Sequence, residues 1–399
     1  MLKCIAVQSK AIRKGGCAVK KYIPQALEFL KKADLYLFFL CLASSIFGIV
    51  FISSAVAWRD DPGRYIFVQI LALLLGIFLF ILFTVIDIDV IADKWPLVLA
   101  FSVLLLLALI VFGQDDGTGN KSWIRFLGIG IQPSEIVRVT FIVLMAKQIS
   151  YLKEYHSLNH ITSVVQMCLH FGLFFGMILV ISKDLGSALI FLFVFAVMLF
   201  AAGIKIYWFV LGISAIAAVT PFLWTNVLKE YQRNRIIAPY APEIVDPKGD
   251  GITWQVNQSK LSLASGRLTG TGLFQGPQTQ SGAVPEQQTD FIFAVIGEEF
   301  GLIGCLICIL LLTLIIIRCV KVGLRSRNTM SMLVCFGVAA ALLFQTFENI
   351  GMCIGLTPVI GITLPFFSYG GSSVFSMFAA MGIVSGIKFR PKPERFRTY

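Results

Sequence analysis

Apolar runs long enough to cross a bilayer recur along nearly the whole of this 399-residue chain. Ten fall at 35–56, 65–86, 96–113, 133–151, 162–182, 185–203, 206–226, 291–317, 329–353 and 371–388. Hydrocarbon offers no partner to a bare peptide group, so segments of this kind must satisfy their backbones internally. The expectation is an all-α polytopic membrane protein with about ten transmembrane helices. Charged residues make up only 14% of the chain, against roughly 25% in soluble domains.

Lysine and arginine set the expected orientation. With the N-terminus inside, cytoplasmic segments and the run ends that border them hold 21 of the 33 basic residues, eight of them before the first run. The net charge of +11 then reads as a topology signal with attraction to anionic membrane lipid, and nucleic acid is not an expected partner. Residues 1–34 read as a basic cytoplasmic tail, 35–388 as the membrane domain and 389–399 as a second basic cytoplasmic tail. The N-terminal stretch lacks a signal-peptide pattern, so the first run is expected to stay. Residues 227–290 form the one large polar insertion, an external loop. Trp254, Leu261, Leu263, Leu268 and Phe274 suggest that it packs on the bundle, with a short interfacial helix over 252–264.

Several chemistries are disfavoured. The nine cysteines all avoid the external loops, which argues against a disulfide framework. Cys305 and Cys308 sit in an apolar run without ligating histidines and read as packing. His156 and His160 fall in a cytoplasmic loop and His170 in a span, so an external histidine-based site is not expected. There is no Walker-type phosphate loop. External chemistry must therefore rest on carboxylates, cations, hydroxyls and backbone.

Asp290, where the polar loop meets the eighth run, is the leading candidate. It either caps that helix or acts as a general base at the membrane surface. Glu298 and Glu299 follow about two turns on, roughly 12 Å along the axis. They are expected to pair with intramembrane cations such as Arg138 or Lys183, as a helix-orienting network or as a cavity for an anionic headgroup. Glu135 and Arg138 share one helix face, and Lys183-Asp184 marks the junction of the fifth and sixth runs. Lys121, Trp123 and Arg125 combine cations with an aromatic, for interfacial anchoring or for a phosphorylated sugar. Pro133 reads as the first residue of the fourth helix. The broken apolar segment 345–373 carries Ser368, Ser372 and Ser373 and reads either as a re-entrant stretch lining a cavity or as a structural turn.

Five segments together resemble the SEDS family, that of FtsW, RodA and SpoVE. They are KSWIRFLGIGIQPSE (121–135), KDLGSALI (183–190), YQRNRI (231–236), PEQQTDFIFAVIGEEFGLIG (285–304) and NIGMCIGLTPVIGITLPFFSYGGSS (349–373). The resemblance implies a ten-span fold and an inverting peptidoglycan glycosyltransferase that polymerises lipid II at the outer face of the bacterial cytoplasmic membrane. It implies a class B penicillin-binding protein and elongation-complex proteins as partners. The family's essential aspartate falls on Asp290. By the same matching, Trp123, Glu135, Arg138, Asp184, Glu298, Gln345, Pro365, Ser368 and Gly371 take cavity or support roles. Lys121, Arg125, Arg138 and Lys183 would balance the leaving diphosphate, with a divalent cation as an expected helper and no legible ligand set. NIGM, LPFFSYGGSS and Gly276–Gln280 are more similar to the elongation branch than to the division or sporulation branches. A lipid II flippase and a non-catalytic scaffold stand as alternatives. Three departures are visible: Lys183 where the family has proline, Arg138 where it has lysine, and the added acid Glu348.

Overall fold

A computed structural model describes residues 32–114, 121–126, 129–226, 230–249, 251 and 253–390. Most of both predicted tails lies outside these residues. The described residues are 76% helical. The long helices are α1 (Leu35–Ala55), α2 (Pro62–Val85), α4 (Trp95–Phe112), α5 (Pro133–Tyr155), α6 (Ile161–Met177), α7 (Leu185–Ala202), α8 (Ile206–Asn226), α13 (Ile292–Leu324), α14 (Thr329–Ile354) and α15 (Gly371–Phe389). Short helices α3 (Ile88–Asp93), α9 (Glu230–Ile237), α10 (Pro242–Val245), α11 (Trp254–Gly266) and α12 (Pro277–Ser281) lie between them.

Among the described residues, nine helices are long and apolar enough to cross a membrane. The fourth expected span, α5, has 23 residues but falls outside that group. Glu135, Arg138, Lys147, Lys153 and Glu154 lower its hydropathy. Glu135 and Arg138 are buried against each other inside the bundle, whereas Lys147 pairs with Asp93 and Lys153 and Glu154 are exposed at the end of the helix. The chain is a membrane protein.

One addition to the all-α expectation is a small antiparallel sheet, β1 (Gly113–Gln114), β2 (Trp123–Phe126) and β3 (Ile129–Ile131), in order β1-β2-β3. It occupies the connection between α4 and α5.

Helix contacts rely on small residues that let backbones approach. A Cβ on Gly48 of α1 would meet the Phe367 backbone at 2.7 Å, and one on Gly382 of α15 would meet the Phe80 carbonyl of α2 at 2.6 Å. Between α14 and α15 the chain runs without regular structure, yet Ile362, Leu364, Phe366, Phe367 and Ser368 are buried. Irregular backbone at this depth is tolerable where protein surrounds it. The seven described cysteines are free and all but Cys168 are buried, in keeping with packing.

The insertion differs from expectation. α11 forms as predicted, but Trp254, Leu261, Leu268 and Phe274 are exposed and only Leu263 joins the core. Its buried face is Gln258, Ser259, Ser262 and Gly266. Gly266 lies directly against the Gly297 carbonyl of α13, so close backbone approach, not apolar bulk, seats this helix.

Candidate active site

The turn before α13 is built on the Glu286 carbonyl, which accepts from the Thr289 and Asp290 N–H groups at 3.1 Å each. Phe291 occupies the cap position of α13, and no side chain accepts from its first turn. The capping reading of Asp290 is therefore excluded, and its carboxylate is left free of the helix. The Asp290 carbonyl accepts the Asn349 amide N–H at 2.7 Å, which fixes the turn against α14. Gly361, at φ 72°, passes so close that a Cβ there would lie 3.3 Å from an Asp290 carboxylate oxygen. Burial, then the Glu286 and Asp184 carboxylates, push the Asp290 pKa up to about 7.

Asp184 faces this turn from the start of α7. Its Oδ1 accepts the Ser187 N–H at 2.9 Å, and its Oδ2 accepts the Ser187 hydroxyl at 2.7 Å and the Gln132 amide at 3.0 Å. The Gln132 N–H in turn donates to the Ser372 hydroxyl at 3.1 Å. A π-helical turn, Ile178–Ser182, ends α6 and delivers Lys183 in left-handed backbone at φ 55°. The Lys121 N–H donates to the Ser182 carbonyl at 3.2 Å. Three connections thus bring Lys121, Gln132, Lys183, Asp184 and Ser372 to the end of the bundle that holds Asp290. Lys121 and Lys183 are exposed, and among the described residues neither forms an ion pair. On β2, Trp123 lays its ring over Gly130, with a Cβ there 3.0 Å from the ring, and Arg125 is exposed.

Other predicted residues land elsewhere. Glu135 and Arg138 pair with each other, both buried, so Arg138 is not a free cation for a leaving group. Ser368 is a brace: its hydroxyl donates to the Thr289 carbonyl at 2.5 Å and accepts the Leu364 N–H at 2.7 Å. Pro365 lies within that turn, and Gly371 starts α15. Gln345 is fully buried, and among the described residues both its amide atoms are without a hydrogen-bond partner. The expectation that Glu298 and Glu299 pair with Arg138 or Lys183 is corrected. Among the described residues every hydrogen-bond partner of the two carboxylates is neutral, because both side chains face residues 265–280 and the end of α1.

Sequence reasoning overlooked the amides. Gln69, Gln132, Gln287 and Asn349 each bridge two segments around Asp290. Gln69, for example, donates to the Ser368 carbonyl at 3.1 Å and accepts the Gly370 N–H at 3.2 Å. A lone amide inside an apolar run, as at Gln69, is the signal that could have found them. No group of three or more metal-ligating side chains lies together among the described residues, and both Asp184 oxygens are already engaged. The donor set does not make a protein-held metal site.

Residues 34–392 match the family profile described as cell cycle protein FtsW/RodA/SpoVE. The chain is 33% identical over 380 residues to the probable peptidoglycan glycosyltransferase FtsW of Geobacter metallireducens, covering 92% of this chain and 97% of that one. It is 34% identical over 299 residues to the peptidoglycan glycosyltransferase MrdB of Escherichia coli, covering 74% and 78%. In structure it resembles a chain of a peptidoglycan synthase complex that coordinates polymerization and crosslinking (TM-score 0.75, 26% identity, 92% and 99% covered). It also resembles the rod shape determining protein RodA of Thermus thermophilus (TM-score 0.65, 25% identity, 89% and 96% covered). With the match running from the start of α1 past the end of α15, this chain belongs to the FtsW/RodA/SpoVE family.

Proposed function

We propose that the chain is a peptidoglycan glycosyltransferase that polymerises lipid II, with Asp290 as general base. The observation that carries this reading is a carboxylate at the start of α13 that does not cap its helix. It stands instead against Gly361 and the Asp184 turn with a pKa near 7. A base is most effective when its pKa lies close to the working pH.

In this reading the 4-hydroxyl of the acceptor's N-acetylglucosamine gives its proton to Asp290. The oxygen attacks the anomeric carbon at the lipid-linked end of the growing chain. The bond from that carbon to the diphosphate breaks with inversion, and undecaprenyl diphosphate leaves. Diphosphate departs without a protein acid, so one carboxylate suffices, unlike the pair a glycosidase needs. Lys121, Lys183 and Arg125 stand at the same end and balance the charge that develops. Asp184 holds Gln132 and the start of α7. No step is assigned to a divalent cation.

The basic segments favour both termini inside and the Asp290 end outside, in a bacterial cytoplasmic membrane. The likeness to a chain of a synthase complex supports a class B penicillin-binding protein as partner. NIGM and LPFFSYGGSS favour a role in elongation, with division or sporulation as the other roles for the same chemistry. Rescue of rod shape in a strain depleted of its elongation polymerase, but not of one depleted of its division polymerase, is the matching genetic result.

The test is lipid II polymerisation by the purified protein with its transpeptidase-blocked partner. Wild type should make long strands, and Asp290→Ala at equal folding and complex yield should make none. Strands from both would move the base, with Glu286 the next acid to examine. No strands from either, with headgroup transfer across the bilayer intact, would favour the flippase.

A further inference from the structure

Glu298 and Glu299 take no part in the proposed chemistry, yet they are 0% and 1% exposed. Among the described residues neither has a cationic partner. Burying two carboxylates without counter-charge is costly unless strong donors hold them. Glu298 accepts the Gln278 N–H at 2.9 Å, the Thr279 N–H at 2.8 Å, the Thr279 hydroxyl at 2.6 Å and the Ser265 hydroxyl at 3.3 Å. Glu299 accepts the Ser54 hydroxyl at 2.5 Å, the Phe274 N–H at 3.1 Å and the Gln280 amide at 3.4 Å.

The backbone beside them is interrupted at Gly301, with φ 64° and ψ −160°. That break frees main-chain groups for the loop. Thr271 and Gly272 donate to the Glu298 and Glu299 carbonyls at 2.9 and 3.0 Å, and Leu302 donates to the Arg267 carbonyl at 2.9 Å. Side chains and backbone of one helical turn therefore grip residues 265–280 together.

The grip reaches Asp290 through two side chains. Thr279, held by Glu298 through both its N–H and its hydroxyl, accepts the Gln287 amide on its carbonyl at 2.9 Å. The same Gln287 amide donates to the Ala55 carbonyl at the end of α1 at 2.7 Å. Gln287 is fully buried and belongs to the turn that carries Asp290.

We propose that Glu298, acting through Thr279 and Gln287, is a positioning residue that sets the place of Asp290, while Glu299 pins the same loop to α1. The inference rests on the reading of Asp290 as the base. It explains why a carboxylate is needed at position 298: both oxygens accept from N–H groups, and an amide would turn its own N–H₂ toward one of them. Glu298→Gln, normally a mild change, is expected to be damaging. Gly276→Ala is a second way in, since its Cβ would meet Glu298 Oε2 at 2.7 Å without altering charge.

The experiment pairs lipid II polymerisation by the complex with amide hydrogen exchange on the full chain. Glu298→Gln should lower kcat by about tenfold or more, the scale of a slightly misplaced catalytic group. KM for lipid II should stay within roughly threefold. Amides of 272–281 should exchange faster, while those of 305–324 stay unchanged. Gly276→Ala should show a smaller form of the same pattern. Thr279→Ser, which keeps the hydroxyl, should outperform Thr279→Val. A loosened loop with wild-type kcat, or a lost kcat with the loop still protected, would overturn the proposal. Asp290→Asn separates the two readings: it should lower turnover by about 10²–10⁴-fold with the loop fully protected, and turnover at the wild-type rate would sink the base assignment alone.

Discussion

At the end of the bundle where α1 begins, Asp34 is fully buried and meets Arg318 at 2.7 Å and Lys388 at 3.3 Å. Nearby, Arg327 bridges Asp87 and Asp89, and Arg390 stands 3.4 Å from Asp87. These pairs join α1, α13 and α15 and tie the α2–α3 connection to the ends of α13 and α15. At the opposite end Asp184, Glu298 and Glu299 rest on hydroxyls, amides and N–H groups, and the Asp290 carboxylate accepts no hydrogen bond among the described residues. One end neutralises its acids and locks its helices. The other holds its acids on neutral donors, and there burial, then the Glu286 and Asp184 carboxylates, raises the proton affinity of Asp290. The same side-chain type is locked in an ion pair or left with a raised proton affinity according to whether a cation is placed beside it.

The contrast can be broken at its strongest point first. Asp290→Asn should reduce polymerisation by about 10²–10⁴-fold, the range of a lost general base, while thermal unfolding in detergent stays at the wild-type temperature. Arg318→Ala should do the reverse: it strips the main partner from a buried carboxylate and should destabilise the protein by about 3 kcal/mol with kcat little changed at permissive temperature. A melting curve and a turnover assay on both variants test the pair together, and a catalytic loss in Arg318→Ala would erase the division of labour.

A pH profile sharpens the Asp290 end. A carboxyl with its pKa raised to about 7 is protonated below that value and ionised above it, so kcat/KM should rise with pH through an acid limb near 7. Asp184→Asn removes one of the negative charges that hold this pKa up, and the limb should move to lower pH. A limb that stays in place would discard the coupling. The smallest effect belongs to the solvent-facing cluster at the first end. Arg327→Ala should cost only about 1 kcal/mol, because Asp87 and Asp89 are partly exposed and Arg390 remains beside Asp87.

Much of this was legible before any coordinates. Span boundaries followed from apolar length alone and agree with the helices to within a few residues, except that α13 runs to Leu324. Asp290 stands out because it lies where the long polar insertion meets an apolar run and because the resemblance places the family's essential aspartate on it, and Glu135–Arg138 because helical spacing puts them on one face. Spacing could not show that Glu298 and Glu299 meet no cation among the described residues. That outcome depends on the break at Gly301, which redirects one helical turn toward the loop. Nor could it show that Ser368 is a brace, since both its partners come from other turns.

The sequence alone settled what a bilayer enforces locally: which segments are helical and which acids are out of place, both consequences of the cost of bare polar groups in hydrocarbon. The tertiary structure decided which acids are neutralised, which are held by neutral donors and which is left without a hydrogen bond among the described residues. Those outcomes hang on contacts between segments far apart in the chain, such as Asp34 with Arg318, Glu299 with Ser54, and Asp290 with Asn349. Such contacts have no period or motif in a single sequence, because they exist only once the helices have packed.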